Sequence, residues 1–516
     1  MLASGQVTVC AFMVTYDVES PGDGCEVKRR AAGPDRRSGA AVERAGGPTA
    51  LFVVLGLFGL TGAGLCLSIR ARWRSTAKRG FPLVLTQPGM AHTLSEKIIA
   101  RAAGRDGVAP GEIVTCRVDL AMMHDSSGPR RMQPMLERIG ARVWDPDRVV
   151  IISDHFVHEP DADSQAIQSL TRSWVQAHPV RAFHDGVGIC HVVLPEQGHV
   201  RPGMLAVGGD SHSVTAGAFG CFMVGVGASD LAGVLASGEI WLRVPASVRV
   251  QVEGALAPGV AAKDVILALC ARIGINGANY RAVSYAGSTI DAMSMSERMT
   301  LTNMSAELGA KTGVIAPDRT TQSWLAQAGV DVHDIDRWRD DDDAQFERVI
   351  DIDANELGPQ VAAPHSPANS TAVETWVGEQ LDQAFIGACT GAKLDDLRMA
   401  AEVLSGQRIA DGLALFVAPA SQRTKDAATA DGTLSKLVEA GATVLPSGCG
   451  ACIGFGPARL EAGRTGISTS SRNFRGRMGD LDSRTFLASA YTVAASAVVG
   501  CIADPRDYLG HGTRGA

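Results

Sequence analysis

A chain of 516 residues is too long for one ordinary core and calls for two to four domains. Its content of 46% hydrophobic and 20% charged residues is that of a folded globular protein. A net charge of −7, with no basic block in the body of the chain, argues against nucleic acid as the main partner. The 58 glycines and few aromatics fit many short α/β turns better than a large all-β fold. The cysteines number 11, odd and scattered, which makes a poor disulfide framework and suits a reducing compartment such as the cytoplasm. Cys116, Cys190, Cys221, Cys270 and Cys501 sit in apolar runs and read as buried small hydrophobes.

Residues 1–89 do not match the rest. The first 49 are rich in Gly, Ala, Arg and Pro without a sustained period. Ala50 to Ile69 then carries no charge, and Arg70, Arg72, Arg74 and Lys78 follow it. Taken literally, this is a membrane span with a basic flank. The preferred reading is a non-structural leader from a start assigned too early; a membrane anchor or a targeting segment are the alternatives. After Met90, AHTLSEKIIARAAG predicts an amphipathic helix with Thr93 as its cap and Glu96 three residues on.

From about residue 110, short apolar strands alternate with helical patterns, the texture of an α/β fold with mainly parallel strands. RVVIISDH (148–155), GMLAVGGDSH (203–212), FIGACTG (385–391) and ATVLPSGCG (442–450) each run a strand into a polar or Gly-rich turn. Ligands gather beyond the carboxyl ends of such strands. That is where Asp154, His155, Asp210, His212, Cys389 and Cys449 fall. Composition shifts near Val244 to Gly254 and Leu357 to Thr375 suggest domains over 90–245, 246–365 and 366–516, the second shift reading as an exposed linker. The acidic run Asp340 to Asp343 reads as a solvated loop.

Cys389 lies in GACTG, and Cys449 and Cys452 form GCGAC about sixty residues later. All three follow apolar strands and have glycine neighbours, which lets backbone approach a bulky inorganic group. Three thiolates suit a 4Fe–4S cluster with one iron free of protein ligands, able to act as a Lewis acid. A zinc site, a redox dithiol and simple burial stay open on spacing alone.

Taken together, the motifs resemble the aconitase superfamily, in particular the large subunits of 3-isopropylmalate dehydratase, homoaconitase and dimethylmalate dehydratase. The resemblance covers about Met90 to the end. It rests on SDH (153–155), GDSHSVTAGAFG (209–220), TNMSAELGAKTG (302–313), IGACTG (386–391), PSGCGACIG (446–454) and STSSRNFRGRMG (468–479). It implies three α/β domains around a 4Fe–4S cluster held by Cys389, Cys449 and Cys452. It also implies a hydro-lyase acting on a 2-hydroxy di- or tricarboxylic acid. A fourth, swivelling domain has no room in this chain, so the resemblance implies a small partner subunit, in a heterodimer or heterotetramer. That partner would carry the substrate-reading loop and a Ser and Arg that complete the site.

The resemblance further implies roles for single residues. Asp154 orients His155, which protonates a leaving hydroxyl. Asp210 and His212, with His191, stand near the cluster, and Ser211 lies beside substrate. Asn303 and Glu307 share a helix face near the cluster, Glu307 in acid/base work. Arg472 and Arg477 hold substrate carboxylates, for which bidentate guanidinium is well suited. Asp125 is a further substrate-proximal candidate, whereas Arg464 and Arg475 read as solvated. Relatives usually read C-T-N where this chain has Cys389-Thr390-Gly391, which puts the usual substrate assignment in doubt. The leading expectation is a 3-isopropylmalate dehydratase-like enzyme. 2,3-Dimethylmalate dehydratase, homoaconitase and aconitase-like activities are the alternatives. An RNA-binding iron sensor and a membrane-tethered inactive scaffold are rivals of other classes.

Overall fold

The computed structural model describes residues 91–509 apart from Pro160. The leader, with its apolar stretch Ala50 to Ile69, lies outside the described residues. Among the described residues, no helix is long and apolar enough to cross a membrane.

The first helix, Leu94–Ala103, starts as its sequence predicts. Thr93 Oγ1 accepts from the Glu96 N–H at 3.3 Å, and Glu96 Oε2 accepts from the Thr93 N–H at 2.8 Å. The acidic run is solvated only in part: Asp342 and Asp343 are exposed, whereas Asp340 and Asp341 turn inward. Asp340 Oδ1 accepts from the Leu94 N–H at 2.6 Å, and its Oδ2 accepts from Ser284 Oγ at 3.0 Å and Arg249 Nη2 at 2.5 Å. Asp341 accepts from the His92 N–H and Lys97 Nζ. These carboxylates satisfy the open N–H groups at the helix start and complement its dipole.

Three sheets organise the rest. A short ribbon, β1 (Ile113–Arg117), precedes the first sheet. That sheet holds β2 (Leu120–His124), β3 (Val149–Ser153), β4 (Ala182–Asp185), β5 (Leu205–Gly208) and β6 (Phe222–Gly225), all parallel, in the order β4-β3-β2-β5-β6. β2 and β3 are buried on both faces, as continuous apolar runs in a parallel sheet should be. β7 (Glu239–Arg243) pairs antiparallel with β1. The second sheet holds β8 (Ser247–Glu253), β9 (Ala282–Ala286), β10 (Thr312–Ile315) and β11 (Arg348–Asp353), again parallel, ordered β10-β9-β8-β11.

The third sheet takes β12 (Gln360–Ala362), β13 (Ser370–Ala372), β14 (Gln383–Ile386), β15 (Ala414–Val417), β16 (Thr443–Val444), β17 (Thr465–Ser468) and β18 (Arg484–Leu487), ordered β13-β12-β18-β17-β14-β15-β16. Only the β13-β12-β18 edge is antiparallel. The stretch Leu357 to Thr375 is therefore not an exposed linker. It supplies two edge strands, and Val361, Ala362 and Val373 are fully buried. Its Pro and Ser content reflects an edge with few ladder bonds to make.

One hydrophobic core joins the first and third sheets, from Met122 and Ile152 to Ile386, Val417 and Phe486. The second sheet packs with Ala362 and Leu487 of the third. The carboxyl ends of β2, β3, β5, β14, β16 and β17 feed the loops that carry the candidate site. Four of the apolar-run cysteines are buried; Cys501 is only half-buried.

Candidate active site

Asp154 and His155 leave the end of β3. Burial opposes charge on Asp154, but the neighbouring His155 holds its carboxyl well below the usual carboxylate range. Its Oδ1 lies 2.6 Å from His155 Nδ1, and its Oδ2 accepts from the Cys190 N–H at 2.7 Å. Burial pulls the imidazole down, yet Asp154 outweighs it and raises His155 to about 9. With Nδ1 bound by the carboxylate, Nε2 is the nitrogen left to give a proton. The pair also ties the first sheet to the cysteine loop, because Asp154 O accepts from the Cys449 N–H at 2.9 Å.

Asp125 belongs beneath this pair, not in the site. Its side chain is fully buried and accepts from the His155 and Phe156 N–H groups and from Gln168 Nε2 at 2.8 Å. With its lone pairs committed, it shapes the Asp154–Phe156 turn and leaves little to offer a substrate.

A second group gathers after β5. Asp210 Oδ1 accepts from His191 Nε2 at 2.8 Å and from the His212 N–H at 2.8 Å, capping the 3₁₀ segment Ser211–Phe219. Burial works against its charge, but His191 and His212 hold it well below the usual range. His212 Nε2 meets Glu307 Oε1 at 2.9 Å, and Arg472 Nε donates to the same oxygen at 2.8 Å. Arg472 Nη1 reaches Ser211 Oγ at 3.0 Å. Despite burial, His212 and Arg472 keep Glu307 below its ordinary value. One carboxylate thus joins side chains from the loops of all three sheets.

The three cysteines line one small cavity with His155, His191, Asp210, His212, Ser471 and Arg477. Cys389 and Cys452 are buried, and Cys449 is partly so. Burial pushes the Cys389 thiol up to about 12, the environment of a thiol that ionises only against a cation. Asn303 Nδ2 donates to Cys389 Sγ at 3.1 Å, and Arg477 Nη2 lies 4.0 Å from Cys452 Sγ. Around them Asn303 Oδ1, Ser447 Oγ, Ser471 Oγ and Arg477 Nε are buried without a partner among the described residues. Unsatisfied groups at that density around three thiols fit a site built to surround a polar inorganic group and its ligand. Gly450, between the paired cysteines, has φ +42°, which glycine adopts without strain.

Gly391 has its own reason. A Cβ there would overlap the Thr469 side chain and lie 2.9 Å from its carbonyl oxygen. Thr469 Oγ1 fills this space and both accepts from the Gly387 N–H and donates to the Gly387 carbonyl, each at 2.9 Å. The space beside Gly391 is filled by the threonine of the facing loop, not left as a void. Gly391→Ala should therefore destabilise the fold by about 1–3 kcal/mol, measured by chemical denaturation, with Thr469→Gly in the same chain restoring part of the loss.

Several site residues escaped the sequence reading. Lys263 is buried, and its Nζ donates to Thr390 Oγ1, Thr469 O and Ser470 O at 3.3, 3.0 and 2.6 Å. It clamps the helix Ala262–Ile273 to both cavity loops. Lys393 likewise donates to Cys389 O at 3.1 Å and pairs with Asp396 at 2.8 Å. Asn473 anchors the arginine loop through Ala362 O, Ala363 O and Thr485 O. His124, the last residue of β2, stacks on His155. Arg464 and Arg475 are solvated, paired with Asp382 and Asp482.

The pattern of the aconitase family (aconitate hydratase) matches residues 96–381 and 375–500, and the chain belongs to that family. Among curated relatives, it is 44% identical over 422 residues to the 3-isopropylmalate dehydratase large subunit 1 of Methanopyrus kandleri, covering 81% of this chain and 100% of that protein. It is 42% identical over 425 residues to the probable methanogen homoaconitase large subunit of Methanothermobacter thermautotrophicus, covering 81% and 99%. The 3-isopropylmalate dehydratase large subunit of Aquifex aeolicus is 41% identical over 427 residues, covering 81% and 98%.

Proposed function

We propose that this chain is the large subunit of a 4Fe–4S hydro-lyase that reversibly dehydrates a small 2-hydroxy di- or tricarboxylic acid, in the manner of 3-isopropylmalate dehydratase. The observation that carries the reading is the shared cavity: three cysteine thiols, a histidine that Asp154 holds toward its charged form and a half-buried arginine line one space. Cys389, Cys449 and Cys452 would hold the cluster, which supplies a Lewis-acidic iron for a poor hydroxide leaving group. The chain's own residues do the rest. His155 gives its Nε2 proton to the departing hydroxyl and takes it back on rehydration. Asp154 keeps that ring charged and oriented. Arg477 binds one substrate carboxylate, and Arg472 binds another after exchanging part of its contact with Ser211. Asn303 steadies Cys389, and Glu307 holds His212 and Arg472 in register across the three domains, 90–245, 246–365 and 366–516. His191 and Asp210 line the cavity beside the thiols.

The names of the relatives support a separate small subunit as partner, bringing the proton-abstracting group and the loop that reads the side group. A homoaconitase-type substrate is the second reading, because a relative of that name is 42% identical to this chain. Co-expression with a small subunit under anaerobic conditions, followed by alkene formation across isopropylmalate, dimethylmalate, homocitrate and citrate, separates the substrates. Cys389→Ser is expected to abolish that activity and lower iron content below that of the unaltered enzyme. Full activity in Cys389→Ser would overturn the ligand assignment.

A further inference from the structure

We infer that His124 is a positioning residue for His155: its ring lies flat against the His155 ring and fixes the plane from which the acid delivers its proton. The inference rests on the functional reading above. The two ring centroids are 4.1 Å apart and the planes differ by 10°. Both nitrogens of His124 are committed. The Ser126 N–H donates to Nδ1 at 3.2 Å, so Nδ1 carries no proton. Nε2 therefore carries the proton and donates to Gly209 O at 3.1 Å. Taking up a second proton would break the Ser126 bond, and burial and the adjacent His155 already hold His124 down to about 4. A permanently neutral ring is thus locked edge-on by the β2 and β5 loops, with its π face toward a charged imidazole. That contact favours the charged ring, as an aromatic face does for any cation.

The position also closes one side of the acid. Asp154 grips His155 Nδ1 from its own loop, Asp125 approaches that nitrogen to 3.8 Å from the end of β2, and Asp210 lies 3.9 Å from His124 Nε2. Asp210 is itself held by His191. The carboxylates set the charge of His155. The Asp154 bond fixes the direction of Nδ1 but leaves the ring free to tilt about it, and a flat neighbour removes that freedom.

Three variants in the assembled, cluster-loaded enzyme test this. His124→Ala removes ring and bonds, His124→Gln keeps a donor for Gly209 without a ring, and His124→Phe keeps a flat ring without nitrogens. Turnover in His124→Ala and His124→Gln should fall by about 10-fold at unchanged iron content, with KM nearly constant. The alkaline limb of their kcat–pH profile should move down by about half a unit or more. His124→Phe should recover most of both losses. If His124→Ala loses iron or fails to fold, His124→Gln against His124→Phe decides the matter. Wild-type turnover and alkaline limb in His124→Gln, or equal losses in His124→Gln and His124→Phe, would overturn the inference. An unaltered enzyme with no dehydratase activity would instead overturn the functional reading.

Discussion

Asp154→Asn is expected to lower turnover by about 10²–10⁴-fold, the range that general acid catalysis contributes. His155 is partly buried, which opposes its charge; the Asp154 carboxylate outweighs this and lifts it to about 9. An amide has similar shape and can still accept from the Cys190 N–H, but it offers no charge. His155 then gives up its charge at a lower pH than in the unaltered enzyme, and with it the proton it would deliver. The unaltered enzyme should accordingly lose turnover as pH rises through about 9, and Asp154→Asn should show its loss at a clearly lower pH. The stability linkage has the same sign. A raised folded-state value stabilises the fold fully below the unfolded value of about 6.5, and that contribution disappears as pH climbs through about 9. Kinetic pH profiles and denaturation at pH 6 and pH 10 check the two statements separately.

Glu307→Ala should damage stability and activity together. Its carboxylate is buried and accepts from both His212 and Arg472. Removal leaves a buried imidazole and a part-buried guanidinium without their shared acceptor, a loss of about 3 kcal/mol for a broken buried pair. The three residues come from the connections of three different sheets, so the registration of those sheets around the cavity should loosen as well. Turnover is expected to fall by about 10³-fold, with Tm reduced. Glu307→Gln keeps one acceptor oxygen and should lose less in both measurements. Wild-type Tm in Glu307→Ala would refute the buried junction.

Much of this site was legible in the chain because parallel strands announce themselves. RVVIISDH and FIGACTG are apolar runs that must be buried on both faces, and whatever follows them must stand at a sheet's carboxyl edge. Asp154, His155, Asp210, His212, Cys389 and Cys449 were placed that way, and their roles came from the family resemblance. The capping box at Thr93 was equally plain, since its donors and acceptors lie three residues apart. What stayed hidden depends on partners distant in sequence. His124 ends an apolar strand and looks like a core histidine; its stack on His155 exists only once β2 and β3 are paired. Lys263 sits in an amphipathic helix whose sequence does not reveal the two loops it will meet. Asp340 to Asp343 looked solvated because charge density says nothing about which N–H groups wait 246 residues away. Asp125 was taken for a substrate contact from its neighbourhood, whereas its bonds run inward to the Asp154–Phe156 turn. Leu357 to Thr375 has the composition of a linker and the role of a sheet edge.

The most direct test is the iron and acid-labile sulfide content of the chain purified anaerobically, set beside the same measurement on Cys449→Ser. The account predicts a brown protein with about four irons and four sulfides per chain and the broad visible absorbance of a 4Fe–4S cluster, sharply reduced in the variant. A colourless protein that stays iron-free after anaerobic reconstitution, or a Cys449→Ser protein with full iron and sulfide, would contradict it.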